Sequence, residues 1–321
     1  VNTSLPNRSD QTVAIVGAGS IGVAFALVFA RAGWQVRLQD PDAARLAAVP
    51  GEVAERAAAL KTFDLLDESP QTVCERISTI TALSDAVAEV PLVLECAPEK
   101  VEIKRELFAQ LDSLTRPDTI LASVSSALPV SFFAAELPGR SRCLIAHPGN
   151  PPYLIPVVEI VPAEFTAPAV AERAEQLFNE VGMAPVRVRR EVEGFIFNRL
   201  QGAVLREAYC LVRDGVATVA DIDRVMRDGL APRWSVIGPF ETVDLNTRGG
   251  IASHAQKMGP AYARMGKERG QDDPWTPELV AEVERQRRAA LPLDEWSSRV
   301  SWRDRELMAL ARDRKKRASK N

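Results

Sequence analysis

The strongest constraint on the fold lies near the start of the chain. The apolar run Thr12-Val13-Ala14-Ile15-Val16 passes directly into Gly17-Ala18-Gly19-Ser20-Ile21-Gly22, and a further apolar stretch continues to Ala32. Glycines at this spacing suit a buried strand that turns sharply into a buried helix. Gly17 permits the turn, Gly19 lets a pyrophosphate approach the backbone, and Gly22 lets helix and strand pack closely. The helix opening at Ser20 and Ile21 then points free amides at the anion. The bland alternative is a strand-to-helix turn that is merely rich in glycine. A second strand, Trp34 to Gln39, ends at Asp40. A carboxylate there accepts both hydroxyls of an adenosine ribose and repels a 2′-phosphate, so NAD is expected rather than NADP.

Strand patterns recur at Leu92 to Glu95, Thr119 to Ser123, Arg142 to His147, Val157 to Val161 and Ala184 to Val188. Helical patterns fill most of the gaps: Ile21 to Ala32, Ala43 to Leu60, Val101 to Leu114 and Ala167 to Val181. This alternation predicts an α/β, Rossmann-type, doubly wound and mostly parallel sheet. After Glu193 only helices are expected, over Gly194 to Arg213, Val219 to Gly229, Ala255 to Arg269, Pro277 to Ala290 and Arg303 to Lys316. The domains expected are therefore 1–190 for the dinucleotide and 191–321 as an all-α domain for substrate binding and dimerisation. The helix Gly194 to Arg213 is apolar around much of its circumference, so burial on several sides, partly by a second subunit, is expected.

Among 321 residues, 40 Lys and Arg oppose 43 Asp and Glu, a net charge of -3 that supplies no field to gather nucleic acid or an anionic membrane. No apolar run approaches the roughly 20 residues that span a bilayer. Val1 to Arg8 lacks the basic start and apolar core of a secretory leader, so a cytoplasmic protein is expected. Cys74, Cys96, Cys143 and Cys210 have no paired spacing and read as reduced core residues, and two histidines are too few for a zinc cluster. The basic C-terminal stretch from Arg303 reads as a solvated helix end.

Oxidation of an alcohol by a nicotinamide needs a base to take the hydroxyl proton as hydride leaves. His147 closes the run Cys143-Leu144-Ile145-Ala146, at the strand end where open α/β sheets bind their ligands, whereas His254 sits in a polar helical region. Glu159 interrupts the apolar strand Val157 to Val161, and a buried acid there needs a partner. His147 can be that partner, giving an imidazole held in one tautomer by a carboxylate. The alternative is a purely structural pair with Glu159 at a solvated sheet edge.

Taken together, Gly17 to Gly22, Glu95-Cys96-Ala97-Pro98-Glu99, Ser123-Val124-Ser125-Ser126, His147 to Tyr153 with Glu159, and Gly194 to Leu200 resemble the 3-hydroxyacyl-CoA dehydrogenase family. The Asn-Pro-Pro-Tyr run, Gly238 to Thr242 and Leu245-Asn246 are most similar to its lambda-crystallin and L-gulonate 3-dehydrogenase branch. The resemblance implies NAD-dependent oxidation of a 3-hydroxy group, with His147 as base, Glu159 as its orienting acid, and Ser125 and Asn198 at the reacting oxygen. It also implies nicotinamide-ribose contacts from Glu95 and Lys100, and a homodimer. Val124 and Ala127 depart from the Thr and Leu usual in the family. The branch also contains lens crystallins, so a non-catalytic NAD-binding structural protein is the rival expectation.

Acyl-CoA sites need cations for the phosphates of the carrier, yet Pro50 to Ser78 holds only Arg56, Lys61 and Arg76 against six acids. A small free 3-hydroxy acid is therefore expected ahead of a 3-hydroxyacyl-CoA. Arg233, in the loop beside Trp234, is the candidate clamp for its carboxylate; a plain surface arginine is the alternative.

Overall fold

The computed structural model describes residues 11–235, 237–246, 250–269, 277–278, 281–282, 285, 289 and 292–318. Contacts divide the chain into two units: one runs through Arg199 and resumes at Ser301, and the other spans Leu200–Val300.

The first unit is built on an eight-stranded sheet. Its strands are β1 (Thr12–Val16), β2 (Gln35–Gln39), β3 (Ile77–Ile80), β4 (Leu92–Glu95), β5 (Ile120–Ser123), β6 (Cys143–Pro148), β7 (Val157–Pro162) and β8 (Ala184–Arg187). They lie in the order β3-β2-β1-β4-β5-β6-β7-β8. Every neighbouring pair is parallel except β6 with β7. Chain order reverses direction between β1 and β4, and this switch point opens a crevice beyond the carboxyl ends of the strands.

Side chains alternate across the central strands. Val13 and Ile15 pack on one face, in the cluster that includes Phe25 and Phe29 of α1 (Ser20–Arg31) and Phe178 of α3 (Pro168–Glu180). Ala14 and Val16 pack on the other with Phe108 and Leu111 of α2 (Val101–Leu114). The doubly wound Rossmann-type architecture follows, because a sheet buried on both faces must be apolar on both. Helix α1 is buried from Gly22 through Ala30, as a helix apolar all round should be. The C-terminal helix (Trp296–Ala318) contributes Met308 to the first of these cores, and its Lys315 pairs with Asp67 at 2.7 Å. The stretch from Ser301, expected in the helical domain, thus returns to the sheet domain.

The second unit is helical in its described part. Helix α4 (Phe197–Arg213) leads into it, followed by α5 (Val219–Arg224), a π-helical turn (Val225–Leu230), the short α6 (Ala231–Trp234), α7 (Pro239–Asn246) and α8 (Gly250–Glu268). Most of the helix expected over Pro277 to Ala290 lies outside the described residues. Only Cys210 of α4 is buried, while Leu200, Val204 and Leu205 are exposed, so the expected burial on several sides is not met within the single chain. Among the described residues no helix is long and apolar enough to cross a membrane.

Candidate active site

Three strand ends build the crevice. Val16 and Gly17 at the end of β1, Gln39 and Asp40 at the end of β2, and Cys96 and Ala97 after β4 line a cleft of about 860 Å³. Gly17 has φ +104°, and a Cβ there would stand 2.8 Å from the Cys96 carbonyl. A Cβ on Gly22 would stand 1.9 Å from the Gly17 carbonyl oxygen, whereas Gly19 has nothing within 4 Å. The turn is therefore closed tightly on two sides and open at Gly19, the shape a pyrophosphate needs. Ser20 and Ile21 open α1, so the first amides of that helix are available beside the open glycine. The Asp40 carboxylate accepts from Ala18 N at 2.9 Å and from Asp42 N at 3.0 Å, which fixes it in the cleft with further lone pairs for ribose hydroxyls. These residues fit a bound dinucleotide.

The same edge of the sheet carries the imidazole. In the antiparallel pairing of β6 with β7, His147 stands directly opposite Glu159, and their side chains share one face. His147 Nδ1 and Glu159 Oε2 are 2.7 Å apart, with only 5% and 2% of the two residues exposed. The other carboxylate oxygen of Glu159 accepts from the amides of Ile196 at 2.7 Å and Phe197 at 3.0 Å. Buried Phe195, in the left-handed region at φ 48°, sets the turn that aims these amides. The rings of Phe195 and Phe197 lie 5.6 and 6.2 Å from the imidazole centroid and wall it off from bulk water.

Beyond β5, the Ser125 hydroxyl donates to Glu99 at 2.5 Å and accepts from Leu128 N at 2.9 Å. Asn198 Nδ2 donates to the Ser126 carbonyl at 2.9 Å, so both sequence-predicted residues hold one loop, 125–128. Glu99, which sequence reasoning did not single out, accepts from the amides of Ser126, Ala127 and Leu128 as well. Desolvation pushes its carboxyl up, but the hydrogen bonds from Ser125 and these amides outweigh it and hold the pKa below the usual value.

Glu95 lies deeper than the cleft lining. It is fully buried, and its carboxylate is occupied by Lys104 Nζ at 2.9 Å to each oxygen, by the Ser123 hydroxyl at 2.5 Å and by Ala97 N at 2.7 Å. The chain's own donors thus occupy the carboxylate expected to meet the nicotinamide ribose. Lys100 is exposed at the head of α2, outside the cleft lining. Arg233 is exposed on α6 in the second unit.

The chain is similar to known proteins along most of its length. Residues 12–192 match the family model for the NAD binding domain of 3-hydroxyacyl-CoA dehydrogenase, and residues 194–291 match the model for its C-terminal domain. The lambda-crystallin homolog of Bos taurus is 40% identical over 310 residues, covering 93% of this chain and 94% of its own. The L-carnitine dehydrogenase of Streptomyces griseus is 37% identical over 276 residues, covering 86% of this chain and 79% of its own. Among solved structures, 5-formyl-3-hydroxy-2-methylpyridine 4-carboxylic acid 5-dehydrogenase, an NAD+ dependent dismutase, superposes with a TM-score of 0.81 at 26% identity, over 94% of this chain and 97% of its own.

Proposed function

The chain belongs to the 3-hydroxyacyl-CoA dehydrogenase family of NAD-dependent oxidoreductases, and from that premise we propose that it oxidises a small free 3-hydroxy acid of the L-gulonate type to the 3-keto acid. The observation that carries the reading is the buried 2.7 Å contact between His147 and Glu159, at the sheet edge shared with the glycine turn. NAD supplies the acceptor for the hydride that leaves the carbinol carbon. With Nδ1 engaged by Glu159, His147 is left with Nε2 to take the hydroxyl proton. Glu159 stabilises the imidazolium so formed, and the amides of Ile196 and Phe197 keep its carboxylate from swinging away. Ser125 and Asn198 shape the loop facing the reacting oxygen, and Lys100 serves the nicotinamide ribose.

The preference for a free acid rests on how the cations of the segment from Pro50 to Ser78 are employed. Arg76 is held by Glu68, Lys61 donates to the carbonyls of Leu66 and Asp67, and Arg56 faces Glu52 at 3.7 Å. None is left to serve as a handle for a CoA phosphate. Arg233 supplies the carboxylate clamp, and the helical unit carries the contacts of a homodimer. The second of these is supported by the exposed Val204 and Val225, which line an apolar cleft of about 530 Å³ with Leu211, Ile222 and Met226. A similarity to L-carnitine dehydrogenase also favours a free acid, since carnitine is itself a 3-hydroxy acid.

NADH formation with L-gulonate, L-carnitine, 3-hydroxybutyrate and 3-hydroxybutyryl-CoA tests the substrate class. The expected outcome is a kcat/KM for the best free acid at least about tenfold above that of the thioester, the size of one added charge-assisted contact. The reverse ranking makes the chain an acyl-CoA enzyme. Turnover of none of the four favours the structural, crystallin-like reading.

A further inference from the structure

The adenosine end of the cleft holds a cation that NAD binding as described does not use. Arg45 lies in the first turn of the helix Ala43–Thr62, which is capped by Asp42, and lines the cleft beside Asp40. Its Nε donates to the carbonyl of Ala18, within the glycine turn itself, at 2.7 Å. The two outer nitrogens are taken by Glu52, in a bidentate pair at 2.5 and 2.9 Å. Hydrogen bonding to Glu52 raises the Arg45 pKa, against the opposing effect of desolvation and with help from the charges of Asp40 and Asp42.

An arginine beside the second strand is what receives the 2′-phosphate in NADP sites of this fold, because its planar fork matches phosphate oxygens. Here the fork is already filled by a carboxylate of the same chain. We propose that Glu52 is a second discriminator against NADP: Asp40 repels the 2′-phosphate, and Glu52 withholds Arg45, a cation placed to receive it. Loss of Asp40 alone then alters the preference incompletely, since Arg45 remains neutralised. The proposal rests on NAD occupying this cleft and is independent of the chemistry at His147.

Direct binding tests it without any substrate. NADH and NADPH are titrated by nicotinamide fluorescence into wild type, Asp40→Ser, Glu52→Gln with Asp40→Ser, and the same pair with Arg45→Ala added. The ratio of the NADPH Kd to the NADH Kd should fall in Asp40→Ser. It should fall by a further factor of about ten in the double variant, the worth of freeing a charge-assisted pair. Adding Arg45→Ala should restore the Asp40→Ser ratio. Thermal unfolding checks that each variant folds, and Glu52→Ala replaces Glu52→Gln if the latter does not. A double variant within about twofold of Asp40→Ser, well under the tenfold expected, or a gain that survives Arg45→Ala, overturns the proposal. Failure of the wild type to bind NADH removes it together with the cofactor site beneath it.

Discussion

At the scale of single residues, the charged groups that matter are buried where apolar neighbours would be expected. Lys104 is 1% exposed and touches Glu95, Ser123 and the Ala97 carbonyl, so it neutralises an acid sealed behind the wall of the cleft. Removing one partner of such a pair leaves a charge without solvent or counterion. Lys104→Met should therefore cost about 3–5 kcal/mol in denaturant unfolding, while Lys104→Met with Glu95→Leu should recover most of that loss. A single variant as stable as wild type would mean that the Glu95 carboxylate is solvated after all. The same pair shows where sequence reading stops. An acid ending an apolar strand looks identical whether it meets a ribose or a lysine, and Lys104 on an amphipathic helix reads as a solvated cation. Glu99 was equally hidden, because its donors lie 26 to 29 residues away in a loop. By contrast, Glu159 was legible, since an acid inside an apolar strand demands a partner and His147 was the chemically suitable one nearby.

At the scale of elements, the turn from β1 to α1 is the tightest constraint in the fold. Gly22→Ala would drive a methyl group into the Gly17 carbonyl, and nothing flexible stands there to yield. A loss of about 2 kcal/mol or more is expected, read as a lowered Tm together with weakened NADH binding. An unchanged Tm with full NADH affinity would mean that strand and helix can separate at no cost. Seven of the eight strands were legible because each is an apolar run bounded by breakers. The exception, β3 (Ile-Ser-Thr-Ile), is a short edge strand with two exposed polar residues and pairs only with β2, so its pattern carries no core signal. Helix α4 was expected from Gly194 but starts at Phe197. Ile196, just before the helix, and Phe197, its first residue, give their amides to Glu159, while Phe195 N turns back to the Val192 carbonyl, a tertiary demand that propensity cannot reveal.

At the scale of the whole molecule, the change of architecture after β8, which ends at Arg187, was readable from where strand patterns stop. That the chain from Ser301 returns to the sheet unit was not readable, because one buried Met308 on a strongly charged helix leaves no pattern. For the homodimer proposed from the exposed apolar residues of α4 and the cleft beside them, light scattering should give a particle of two chains. A monomer at micromolar concentration would contradict the homodimer. With the glycine turn and Asp40 proposed to hold the dinucleotide and His147 proposed to take the proton, binding and proton transfer are separable. Single-turnover hydride transfer measured beside NADH affinity in His147→Gln tests this most directly. Affinity close to that of wild type with transfer slowed by about two to four orders of magnitude is the predicted result. Transfer at the wild-type rate in that variant would contradict the assignment of His147 as the base.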